Sequence, residues 1–189
     1  MSVLFNRLRL SFRRLRDRQR PLQDRFSYIY AEHRWSGGGD ETRSGAGSTL
    51  GATETIRDLL PELLKELNVS GLLDLGCGDF NWMKEVALPT FYLGVDIVPQ
   101  VIEENRQKYQ SESVKFMVLD GASDPLPKGY GMILCREVLF HLSFDDGAAV
   151  IEQIRNSGAT WVLTTTSSAS VENTDIVSTI ATAVEEQSA

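Results

Sequence analysis

The sequence predicts one α/β domain built on an open parallel sheet with helices on both faces. Three observations carry that prediction. Short apolar runs alternate with segments of helical period between residues 71 and 165, which is the pattern of a parallel sheet with crossover helices. The chain is 189 residues long, a length that suits one domain. A Gly-Cys-Gly turn at 76–78 closes the first apolar run, and sheets of this kind take ligands at the carboxyl ends of their strands.

The elements follow in order. Residues 21–34 read as a short helix. Residues 35–48 hold five glycines and form a loop. A helix capped by Ser48 or Thr49 runs to about residue 68, with Ile56, Leu59, Leu60, Leu63, Leu64 and Leu67 on one face. Pro61 is expected to kink it or split it in two. The run 71–75 is a buried strand, 81–86 a brief helix and 91–95 a second strand. A helix over 99–109 starts on Pro99. Strands over 114–119 and 130–135, a helix over 144–156 and a strand over 160–165 complete the pattern. Residues 166–189 have room for one more short element, near 176–184.

Composition removes several classes. A hydrophobic share of 42% fills a core, so global disorder is excluded. No apolar run approaches the length of a bilayer-spanning helix. Cys77 and Cys135 are the only cysteines, and His33 and His141 the only histidines. That excludes a disulfide scaffold and a four-cysteine zinc site, and no metal is expected.

Charge divides the chain. Residues 1–20 carry seven arginines and one acid, a net +6, which leaves −13 on the remainder. An acidic body argues against an extensive nucleic-acid surface. Leu4, Leu8, Phe12 and Leu15 give the basic arm an amphipathic helical spacing. Three readings stay open for it: a solvated terminus, a contact with a membrane surface or a protein, and an organelle transit segment. The expected compartment is the cytoplasm, with organelle targeting or peripheral membrane attachment through the arm as the alternative.

The run LLDLGCGD at 72–79 is the most informative stretch. Gly76 and Gly78 let the backbone turn sharply beside a ligand. Asp96 follows at the end of the next strand, twenty residues after Gly76, where an acid can bond both hydroxyls of a ribose. A dinucleotide fingerprint wants a third glycine where Asn81 stands. Asp74 and Asp79 flank the turn. Two acids repel a pyrophosphate and suit a ligand bearing an ammonium and a sulfonium, which favours S-adenosyl-L-methionine over NAD.

These stretches, with 92–96, 115–120 and 130–142, resemble in order and spacing the motifs of the class I S-adenosylmethionine-dependent methyltransferases. The resemblance covers roughly residues 50–166, and the head segment 35–49 looks like a mostly bacterial subgroup of them. It implies a Rossmann-like doubly wound sheet and a methyl transfer from S-adenosyl-L-methionine to a small-molecule acceptor. It implies cofactor contacts from Asp74, Gly76, Cys77, Gly78, Asp96, Ile97, Asp120, Gly121 and Cys135. Arg136, Glu137 and His141 would border the acceptor as the catalytic candidates. Structural alternatives stand beside these roles: Asp120 as a turn former, Cys135 as a small buried hydrophobe, His141 as a packed histidine.

The expected organisation is an arm and helix over 1–34, a cofactor-binding domain over 35–166 and an atypical tail over 167–189. So short a tail implies a sheet without the family's last two strands. The fifth strand would then be an open edge prone to self-association. A catalytically impaired module acting by association is the alternative function.

Overall fold

The computed structural model describes residues 21–35, 39–165 and the strand at 179–183. The basic arm at 1–20, and the tail apart from that strand, lie outside the described residues. Among the described residues, four α-helices, α1 (Leu22–Ala31), α2 (Glu54–Glu66), α3 (Pro99–Tyr109) and α4 (Phe144–Asn156), surround a single sheet. Its strands are β1 (Gly71–Leu75), β2 (Phe91–Asp96), β3 (Val114–Val118), β4 (Met132–Cys135), β5 (Trp161–Thr165) and β6 (Thr179–Ala183). They lie in the order β3-β2-β1-β4-β5-β6. The first five are parallel.

β6 runs antiparallel to β5, with Thr164 opposite Ile180 and Trp161 opposite Ala183. The open β5 edge expected from the sequence is therefore paired, and the self-association expected of it loses its basis. One strand from the tail is enough, because five residues cover the whole length of β5.

Side-chain alternation along the central strands divides the core into two faces. Leu72, Met132 and Leu134 pack with Leu60 and Leu64 of α2 and Ile102 of α3. Leu73, Leu75 and Ile133 turn the other way, onto Val150 and Ile154 of α4. β1 and β4 are buried along their whole length, as central strands covered on both faces must be.

Two local expectations need correction. Pro61 lies inside α2, which is one helix, so the expected split into two does not occur. The proline removes one backbone bond, but Leu60 and Leu64 on either side are each 1% exposed. Their burial contributes about 1.5–3 kcal/mol apiece, which outweighs that loss. The N-terminus of α2 also starts later than expected, with Thr53 as the residue before it. Thr49 is spent on turn bonds instead: its hydroxyl donates to the Ala46 carbonyl and accepts from the Ala52 amide. In α4 the cap is conventional, Ser143 accepting from the Asp146 amide.

α1 was grouped with the arm on sequence grounds, yet it packs onto the domain. Phe26 and Tyr30 are buried against Val98 and Val101 at the start of α3. Gln23 donates to the Ile97 carbonyl and Arg25 to the His141 carbonyl. The helix thus lies across the gap between the ends of β2 and β4.

Leu72 is fully buried at the centre of the sheet. Leu72→Ala is expected to lower stability by about 2–5 kcal/mol. Urea denaturation followed by circular dichroism measures it, and a loss under about 1 kcal/mol would contradict this packing.

Candidate functional site

The strand order reverses between β1 and its neighbours β2 and β4, and a cavity opens there, outside the carboxyl ends of the strands. It encloses about 910 Å³, part of it open to solvent. Its floor is the turn after β1. Gly76 and Gly78 adopt φ of 81° and 56°, values that favour glycine. A Cβ on Gly76 would stand 2.4 Å from Val138, and one on Gly78 2.4 Å from the Ser44 hydroxyl. The amides of Gly76 and Cys77 both donate to the Val95 carbonyl, at 2.8 and 3.0 Å. The Gly78 carbonyl accepts from the buried Asn105 side chain at 2.8 Å.

Two buried carboxyls face this turn. Asp96 accepts from the Gly78 amide at 3.1 Å and the Val98 amide at 2.9 Å. Burial pushes its pKa up to about 6, against the opposing pull of those amides. Asp74 accepts from the Tyr92 hydroxyl at 2.7 Å. Burial pushes it up to about 7, with the Tyr92 bond and the Arg136 charge acting the other way. Both residues line the cavity.

Asp79 does not. The sequence reading had it flanking the turn as a second acid toward the ligand. Its carboxylate instead accepts from the Thr42 hydroxyl, the Arg43 amide and the Ser44 hydroxyl, at 2.8–3.0 Å. The acids that line the cavity are Asp74, Asp96, Asp120 and Glu137.

The adenine-side candidates line the same space: Ile97, Asp120 and Gly121. Asp120 also forms the expected turn, its carboxylate accepting from the Ala122 amide at 3.0 Å. Gly121 lies against Leu75, where a Cβ would come within 2.9 Å of a methyl. Cys77 lines the cavity and is buried, its thiol pushed well up by burial.

Cys135 is placed elsewhere. It is 0% exposed, packed within the core on the α4 side of the sheet, and absent from the cavity wall. Burial pushes its thiol up to about 12. Its side chain follows that of Ile133 on the same face of β4 and packs with that core.

Arg136, Glu137 and His141 line the same cavity. The Arg136 guanidinium stands 5.5 Å from the Trp82 ring centre and donates to the Gly47 carbonyl at 2.8 Å. Glu137 has φ of 59°, a left-handed conformation rarely adopted by a residue with a side chain. Its amide donates to the Thr165 hydroxyl at 2.9 Å. His141 stacks on Trp35 with ring centres 5.0 Å apart, and partial burial lowers its pKa.

Several residues escaped the sequence reading. Tyr30 and Ser44 line the cavity and share a 2.8 Å hydrogen bond. Tyr92 is the only side chain bonding Asp74 among the described residues. Asn105 offered a signal: it is a polar residue among the buried positions of α3, with Val101 and Ile102.

Comparison with known proteins agrees with this geometry. A family model described as a methyltransferase domain matches residues 72–157. Similar solved structures include magnesium protoporphyrin IX methyltransferase from Synechocystis PCC 6803 with bound S-adenosylhomocysteine. It is 19% identical with a TM-score of 0.60, over 79% of this chain and 72% of that one. The N-methyltransferase NodS from Bradyrhizobium japonicum WM9 is 18% identical with a TM-score of 0.54, over 72% and 71%. The methyltransferase domain of bacterial CtHen1 is 20% identical with a TM-score of 0.51; the match covers 60% of this chain and 66% of that one, just under two thirds of its length. At these identities the structures establish a shared fold. No curated protein sequence matches the chain. Residues 72–157 thus match a methyltransferase domain, and the chain shares its fold with solved S-adenosylmethionine-dependent methyltransferases.

Proposed function

We propose that this chain is an S-adenosylmethionine-dependent methyltransferase acting on a small-molecule acceptor that enters beside Trp82, Arg136 and Glu137, within a domain spanning residues 35–166. The observation that carries the reading is the continuity of one cavity. Asp96, Asp120, the Gly76–Gly78 turn, Arg136 and Glu137 all line it. A cofactor lying along the turn would bring its far end against that wall. Nothing favours the associating-module alternative.

The residues present suit the cofactor. Asp74 and Asp96 are buried acids with few donors, facing a cradle that a Cβ would fill. Asp96 uses one bond per oxygen on backbone amides, which leaves lone pairs for ribose hydroxyls. Asp74 would hold the amino group. Asp120 would accept from the adenine amine, with Ile97 against the ring. When bound, S-adenosylmethionine supplies an electrophilic methyl on a positively charged sulfur.

The chain's own task is then alignment and exclusion of water. Trp35, Phe26 and Tyr30 wall the cavity with rings. His141, with its pKa lowered, is neutral at neutral pH and can take a proton. Glu137 is a second acceptor of protons at the same end. Arg136 would hold an acceptor's electron-rich group in place.

Titration calorimetry with S-adenosylhomocysteine tests the reading. Saturable binding at neutral pH is expected, and Asp96→Asn should weaken it about tenfold to a hundredfold, as loss of a charge-assisted bond implies. Well-folded protein that takes up no ligand would refute the proposal.

Asp74 links binding to pH. A bound ammonium lowers its pKa, so binding expels its proton; affinity is expected to fall as pH drops from 8 through about 7. Without ligand the sign reverses. The pKa is higher in the folded chain, about 7 against an ordinary 3.8. The associated stability is therefore complete below 3.8 and is lost as pH rises through about 7. Asp74→Asn should thus abolish ligand binding while raising unliganded stability at pH 8 by roughly 1–3 kcal/mol. Thermal denaturation at pH 5 and pH 8 checks this, the gain being larger at pH 8 than at pH 5.

A further inference from the structure

We propose that Asp79 is a positioning residue, which holds the segment 41–48 as a strap between the cofactor turn and the acceptor wall. This rests on the function proposed above. The loop after β1 pins the strap at successive points. Asp79 takes the three donors of residues 42–44 already described. Two residues on, Asn81 donates to the Glu41 carboxylate at 2.9 Å and the Ser48 carbonyl at 3.1 Å. One further, Trp82 lies beneath the Arg136 guanidinium.

The strap then acts on both halves of the cavity. On the cofactor side, Ser44 accepts from the Asp79 amide at 3.0 Å and fills the space beside Gly78. It also bonds the Tyr30 hydroxyl, which brings α1 into the same cluster. On the acceptor side, the Gly47 carbonyl holds Arg136. Arg136 is the only lysine or arginine on the cavity wall among the described residues. Its Nε is buried with no partner, so that single bond to Gly47 and the Trp82 ring fix where the charge sits. A ligand under the strap and an intact strap therefore stabilise one another, by the reciprocity of linked equilibria.

Limited trypsin digestion tests this, following cleavage after Arg43 by mass spectrometry, with calorimetry of S-adenosylhomocysteine alongside. In the wild type, saturating S-adenosylhomocysteine should slow that cleavage at least fivefold. In Asp79→Ala, cleavage should be fast with or without ligand, and the ligand Kd should rise tenfold or more. Ser44→Ala, which removes only a hydroxyl, should shift both in the same direction and covers the event that Asp79→Ala fails to fold. Ile154→Ala, on the opposite face of the sheet, lowers stability without touching the strap and should keep ligand protection. Protection that is absent in the wild type despite binding, or wild-type Kd in both strap variants, overturns the inference alone. Wild-type protein that binds no S-adenosylhomocysteine overturns the proposed function and this inference together.

Discussion

Two carboxyls held out of water at the rim of the sheet set the terms for everything around them. Asp74 and Asp96 stand at the ends of neighbouring strands, 4% and 8% exposed, and burial dominates the pKa of both. Isolated buried charge is costly, so each is given a donor that does not close it off from the cavity. Asp96 takes two backbone amides, and those bonds also fix the turn after β1 and the entry to α3. Asp74 takes the Tyr92 hydroxyl from the adjacent strand. Both keep lone pairs that no described donor takes up, and on the function proposed above the stability of the domain and its affinity pull in opposite directions at residue 74.

Much of this was legible in the sequence because it follows from short-range rules. Buried parallel strands announce themselves as apolar runs, and the bounds of β1, α3 and α4 coincide with the apolar and proline signals that predicted them. The Gly76–Gly78 turn and Asp96 could be placed because a tight turn and a strand end leave those residues one position in the fold. What stayed hidden depends on contacts between distant segments. Asp79 could be seen beside the turn, but nothing local says that residues 42–44 will supply its donors. The tail could be seen as short, but its pairing with β5 matches residues 179–183 to residues 161–165 across an intervening segment. Cys135 illustrates the remaining difficulty: at the end of a strand, one step of alternation separates the core from the site, and position 135 falls on the core side.

The head of the chain carries more of the site than its composition suggests. A glycine-rich loop of polar residues reads as a connector, yet Ser44 and Ser48 line the cavity and Gly47 holds Arg136. α1 adds the aromatic wall through Phe26 and Tyr30, with Trp35 just beyond it. The sheet supplies the acids and the turn, and the segments before it supply the roof. The family match begins at residue 72, after these segments.

α1 is fastened across the crevice by Gln23 and Arg25, and both donate to main-chain oxygens, of Ile97 and His141. Every amino acid carries that oxygen. The side chains at 97 and 141 can therefore change, altering what the crevice accommodates, without unfastening the helix above it. The roof is built to outlast changes of tenant.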